Sequence, residues 1–307
     1  MQTVFTLIQQ TGMMFFLAGI GFLLFKTKKI SVEGSKSIGN ILIFVVLPCV
    51  IVNGFLIERT KERIIALGLS ALLAFTILMI SVLISRLIFK KDAIAAFGAA
   101  FSNPGFFGVP LIVASLSDGA VFYIASFIAF LNLLQWTYGV AIMTGQRGRI
   151  QIKKLICAPF FLAIVVGFLL FITQCPLSGL LTKTLSALAG LNTPLAMFTV
   201  GVYLAQTDLI AMFKRKQLYL ICLVRLLVIP LISLVVMIPI SAKYADLKTA
   251  ILIASACPVG SNIAVYAQLH EKNYTYAVEA VVVSTLFSIV TIPCIIFLAD
   301  TSMQLLL

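Results

Sequence analysis

Apolar stretches of about twenty residues follow one another along the whole chain, separated by short clusters of Lys, Arg, Gly, Pro and Asn. A stretch of that length crosses bilayer hydrocarbon as a helix, and the strict polar–apolar alternation of a membrane barrel is missing. The pattern predicts ten spans, near residues 4–25, 37–57, 64–88, 93–116, 120–144, 155–173, 181–205, 217–239, 247–269 and 276–299. The connections leave no room for a soluble domain. The first run has no basic segment ahead of it and is long enough to span, so it reads as a membrane helix and not as a cleaved signal. The seventh span is the weakest, because Asn192-Thr193-Pro194 interrupts it.

Two spans carry strong punctuation. The fourth contains Ser102-Asn103-Pro104-Gly105-Phe106-Phe107-Gly108-Val109-Pro110, and the ninth contains Ala256-Cys257-Pro258-Val259-Gly260-Ser261-Asn262. Proline removes a backbone donor and glycine relaxes the chain, so both spans should unwind locally. Unpaired backbone at membrane depth is tolerated only where it is buried in protein or lines a cavity. Matched breaks in the two halves of a chain point to a carrier's central site.

The halves repeat. Pro104 lies 12 residues after Asp92 and Pro258 lies 12 after Asp246, a constant offset of 154. Phe15-Phe16-Leu17-Ala18 with Gly21 in span 1 recurs as Phe160-Phe161-Leu162-Ala163 with Gly167 in span 6, and Pro48 in span 2 recurs as Pro194 in span 7. Five spans per copy is an odd number, so the second copy enters from the opposite side. The expected fold is all-α and integral to the membrane: ten helices in two inverted five-helix repeats, 1–144 and 145–307, with broken helices 4 and 9 crossing.

Composition agrees with the pattern: 62% of residues are hydrophobic, 10% are charged, and mean hydropathy is +1.16. Soluble domains average about 45–50% apolar and about 25% charged. The net charge of +12 does not indicate a nucleic-acid partner, because the basic residues cluster in loops: Lys26, Lys28 and Lys29; Lys90 and Lys91; Arg147, Arg149, Lys153 and Lys154; Lys214, Arg215 and Lys216. Only Arg59, Lys61, Arg63, Lys183, Lys243 and Lys248 fall on the opposite side. That bias places both termini on the extracytoplasmic side of a plasma (inner) membrane. The six cysteines lack CxxC spacing, and His270 has no second ligand nearby, so no metal or other cofactor is expected.

At the breaks, half-helix N-termini offer free N–H groups and about half a positive charge each, which suits a carboxylate. Neither break contains Asp or Glu, so an organic anion fits better than a cation. Candidate substrate contacts are Asn103, Pro104, Gly105, Phe106, Pro258, Gly260, Ser261 and Asn262, with Asn53 one turn beyond Pro48. Arg225 is the one charge deep inside a span, and Glu279 lies just inside span 10. The two read as a structural charge pair, or Arg225 as a snorkelling side chain, or either as a contact for substrate or coupling ion. Asn132, Gln135, Gln268, Ser284, Thr285 and Ser288 read as polar links between helices.

The stretch from Phe97 to Pro110 closely resembles the signature of the auxin efflux carrier family, which includes plant auxin exporters and bacterial permeases for malate or malonate. The second break, the Pro194 span and Ser284-Thr285-Leu286-Phe287-Ser288 are similar to that family's second half. The resemblance implies crossed helices of the bile-acid-symporter type, with a scaffold domain (helices 1, 2, 6 and 7) and a transport domain (helices 3–5 and 8–10). It also implies an organic-anion substrate whose carboxylate meets Asn103. The long central cytoplasmic loop of the plant carriers is absent, so a bacterial-type member is expected. At the second crossing Cys257 stands in the asparagine position, and amide chemistry there falls to Asn262.

The leading expectation is a secondary carrier for a small mono- or dicarboxylate working by alternating access. A Na⁺-coupled symporter of the bile-acid type would need a cation site, for which Gln268 and Glu279 are the contributors. A non-transporting sensor could use the same scaffold. An enzyme is not expected, since GxSG with a membrane histidine, HExxH and Asp-rich motifs are absent. The partners are therefore the bilayer and a small organic anion; H⁺ or Na⁺ coupling and a homodimer are left open.

Overall fold

The computed structural model describes residues 2–145 and 158–305. The basic cluster Arg147–Lys154 and the expected start of the sixth span at 155 lie outside the described residues. Among those described, the chain is helical and forms no strand. Seven helices are long and apolar enough to cross a membrane. We number the elements in chain order. Helix α1 is Gln2–Lys26, α2 Val32–Phe55, α3 Lys61–Ile88, α4 Ala93–Ala100 and α5 Pro104–Ser115. Helix α6 is Val121–Thr144, α7 Pro159–Thr173, α8 Gly179–Gln206 and the short α9 Leu209–Lys214. Helix α10 is Lys216–Met237, α11 Ala245–Ala256, α12 Asn262–Leu269 and α13 Tyr274–Leu305. The expected fourth and ninth spans are the broken pairs α4/α5 and α11/α12. The doubtful seventh span runs through Pro194 as α8.

Side chains cap the helices where the sequence allows. Asp92 Oδ1 accepts from Ala95 N at 2.9 Å and opens α4. Thr60 Oγ1 accepts from Arg63 N at 3.2 Å and opens α3. Each cap satisfies an orphan amide of a first turn.

The outer surface is apolar. Phe16, Leu180 and Ile210 are 81%, 77% and 72% exposed. Such surface is stable only against lipid, so this is an integral membrane protein. The best-buried elements are the broken ones: every residue of α4 from Ile94 to Ala100 is buried, as is the run Ala250–Ala256 of α11.

Helix α1 lies against α8 at backbone distance. A Cβ on Gly21 would sit 2.5 Å from Phe198 O, and one on Gly201 would sit 2.0 Å from Ala18 O. Helix α7 meets α2 through Gly167, where a Cβ would lie 2.6 Å from the Phe55 ring. Small residues permit such approach and its dispersion gain. At one end of the bundle, Arg59 N donates to Gln174 Oε1 at 3.1 Å, joining the α2–α3 and α7–α8 connections. At the other end, Tyr276 Oη donates to Asp92 Oδ2 at 3.0 Å, joining α13 to the start of α4.

Candidate functional site

The two breaks pair with each other. Ser102 and Val259 form an antiparallel bridge. Asn103 N donates to Pro258 O at 2.9 Å, and Gly260 N donates to Phe101 O at 3.0 Å. Val259 N donates to Ser284 Oγ of α13 at 3.0 Å. Part of the backbone that proline and glycine free from the helices is therefore reused to tie the crossing together. Gly260 permits this contact, because a Cβ there would lie 2.8 Å from Ser102 O.

Asn103 opens α5. Its Oδ1 accepts from Phe106 N at 3.3 Å, while its carbonyl accepts from Phe107 N and Gly108 N. The Nδ2 group is left as a donor without a described partner, on a residue only 8% exposed. Ser102 Oγ is buried and also unpartnered. Across the crossing, Asn262 Nδ2 donates to Gln135 Oε1 at 3.0 Å, and Gln135 Nε2 is buried without a partner.

These groups border a cavity of about 450 Å³. Asn103, Pro104, Gly105, Phe106, Gly260, Ser261 and Asn262, all singled out from the sequence, are on its wall. Among the described residues none of the lining ones is charged, and the remaining wall is largely apolar, with Phe44, Trp136, Phe160 and Tyr266 contributing rings. A second cavity of about 310 Å³ shares Ile43, Phe106, Ser261, Asn262 and Val265 with the first and extends to Lys36, Gln268 and Tyr274. A third, of about 290 Å³, lies beyond the crossing and is lined by Asn53, Val109, Pro110, Asn192 and Thr193.

The remaining candidates sit elsewhere. Pro258 is not on the wall of the main cavity; its carbonyl is spent on Asn103 N. Asn53 belongs to the cavity beyond the crossing, where its Oδ1 accepts from Ser186 Oγ at 3.4 Å. Arg225 and Glu279 do not pair. Glu279 takes its ion pair from Arg215, with Oε2 3.1 Å from Nε but off the line of a hydrogen bond. Arg225, 1% exposed, turns to backbone: Nη1 donates to Ala99 O at 3.2 Å and Ala100 O at 3.1 Å, and Nη2 donates to Ser255 O. Lys248, counted above with a loop, is buried on α11 and donates to Ile240 O at 3.2 Å.

Cys257 is fully buried, its Sγ donating to Ile253 O at 3.2 Å, and it is off the cavity wall. Asn262 is thus the amide that the second crossing presents. Asn192 does more than interrupt the seventh span. Its Nδ2 donates to Gly105 O at 3.1 Å, linking α8 to the crossing between the two cavities. An asparagine two residues before a proline in an apolar run was the available signal.

No curated relative matches the chain. A family profile described as "Membrane transport protein" matches residues 6–296, nearly the whole length. Its crossing signature and this match together place the chain in the auxin efflux carrier family, a family of membrane transport proteins.

Proposed function

We propose that the protein is a secondary carrier for a small organic carboxylate, with alternating access at the α4/α5–α11/α12 crossing. The observation that carries this reading is the Asn103 amide. Its oxygen is committed to capping α5, so its NH₂ is the free end, on the wall of a cavity without acidic residues. Ser102 Oγ–H and the two helix-start amides that bond to no other backbone carbonyl, Gly105 N of α5 and Asn262 N of α12, add donors beside it. The polar groups concentrate at the crossing and the rings lie elsewhere on the wall. One carboxylate on an apolar body therefore matches the cavity better than two carboxylates.

The packing of α1 on α8 and of α7 on α2 supports inverted repeats, since each first helix of a half lies on the second helix of the other. In this reading α1, α2, α7 and α8 form the scaffold, and the crossing with α3, α6, α10 and α13 moves against it. The termini lie outside the inner membrane and Lys36 at the cytoplasmic mouth, where its charge raises the local anion concentration. A thermal-shift screen of purified protein tests the substrate class with malate, malonate, succinate, citrate, indole-3-acetate and bile acids. Stabilisation by monocarboxylates, followed by their uptake into proteoliposomes, is expected. Binding without uptake would indicate a sensor, and stabilisation by cations alone would overturn the anion reading.

A further inference from the structure

Behind the crossing, Arg225 sits where the first half-helices end. Ala99 and Ala100 close α4, and Ser255 is the penultimate residue of α11. The guanidinium donates to a carbonyl of each. Free carbonyls at half-helix C-termini are the donor set with which broken-helix carriers hold a coupling cation. Here a protein side chain already holds them.

The charges can be counted. Two half-helix C-termini carry about −0.5 each, and two N-termini carry about +0.5 each. A guanidinium at the C-termini cancels their field. The N-termini of α5 and α12 are left uncompensated, with a net charge of about +1 facing the cavity. Arginine suits the place because it stays protonated when buried and presents several donors in a fixed plane.

Accepting the carboxylate reading above, we propose that Arg225 is a tethered internal cation that replaces a dissociable coupling cation. It joins the two half-helices and keeps the anion site positive without sodium. Arg225 is then a positioning residue: it acts on the substrate through the half-helices.

Two readouts test this independently. The first needs no substrate. Arg225→Ala, purified with 5 mM methylguanidinium present from solubilisation onward, is expected to recover folded yield and thermal midpoint. Methylammonium should do so less well. Wild type and a core control, Phe122→Ala, are expected not to respond. The second readout uses proteoliposomes and indole-3-acetate. Wild-type uptake should be unchanged when choline replaces Na⁺. Arg225→Lys should keep uptake within about tenfold, and folded Arg225→Gln should bind at least about tenfold more weakly.

An Arg225→Ala protein with wild-type stability and no response to methylguanidinium would overturn the proposal. So would wild-type uptake that requires Na⁺, or an Arg225→Gln protein with unchanged affinity. If wild type moves no carboxylate at all, the functional reading fails, and the methylguanidinium result still decides whether the cation site exists.

Discussion

Asn103 performs two tasks with two ends of one amide, and a substitution can separate them. Its Oδ1 caps α5 through Phe106 N, while Nδ2 has no described partner on a residue that lines the cavity. Asp caps a helix about as well as Asn. Asn103→Asp is therefore expected to keep the thermal midpoint near wild type while replacing a donor by a like charge. A hydrogen bond to a charged group is worth about 1.5–3 kcal/mol, or roughly one to two decades of affinity, so carboxylate binding should fall at least about tenfold. Asn103→Ala loses the cap as well and should lower both quantities. Calorimetric titration beside scanning fluorimetry checks this; an Asn103→Asp protein that binds like wild type would remove Asn103 from the site. Asn103, Ser261 and Asn262 were legible because short polar residues beside proline or glycine in an apolar run have few other uses. The partners of Arg225 were not legible. They are backbone carbonyls, which every residue carries, so nothing at Ala99, Ala100 or Ser255 marks them in the sequence.

Among the described residues, four one-turn π-helical segments lie in or around the crossing: Leu42–Val46, Pro104–Gly108, Gln135–Gly139 and Val224–Val228. Three are followed two residues later by a proline, at Pro48, Pro110 and Pro230. A proline cannot donate to the carbonyl four residues back. That carbonyl belongs to Phe44, Phe106 or Leu226, inside the π turn in each case. The residue before each proline donates instead to the carbonyl five back: Leu47 N to Leu42 O, Val109 N to Pro104 O and Ile229 N to Val224 O. The wider turn places Ile43, Phe44 and Gly105 on the cavity wall and Arg225 behind it. Helix positions and breaks were readable from apolar runs and Pro/Gly clusters. The π turns were not, although their prolines were in view, and the fourth has no proline to signal it. Packing between elements depends on single glycines. Gly201→Val drives a side chain into the Ala18 carbonyl on α1, and overpacking of this kind costs about 1–3 kcal/mol or more. A lower thermal midpoint and folded yield are expected. Gly12→Val, on the same α1 with nothing within 4 Å, should change neither, and equal loss from both would mean that the α1–α8 contact does not support the fold.

At the scale of the whole molecule, the orientation in the membrane decides which compartment sees the Asn103 cavity. The cavity system reaches Lys36, at the end where Arg215 meets Glu279 and Tyr276 meets Asp92. The opposite end holds Arg59, Gln174 and, next in sequence, Cys175. Lys and Arg are concentrated at the first of these ends, which the positive-inside rule assigns to the cytoplasm. In the proposed orientation the cavity opens to the cytoplasm, and the cavity lined by Asn53 and Asn192 lies on the outward side. Cys175 reports on this directly. It is an exposed free thiol between α7 and α8, whereas Cys222 and Cys257 are buried and Cys49 is half-buried within α2; Cys157 lies outside the described residues and is replaced by Ser in the protein tested. Cys294 is exposed on apolar α13, facing lipid, which a charged reagent does not enter. A membrane-impermeant maleimide applied to intact cells is therefore expected to label the Cys157→Ser protein, and adding Cys175→Ser should abolish that labelling. Labelling that appears only after the membrane is opened, and still depends on Cys175, would reverse the orientation. The Asn103 cavity would then face outward, and the basic end would sit against the rule that governs such loops. The test needs no substrate, so it fixes the direction of access before any transported anion is identified.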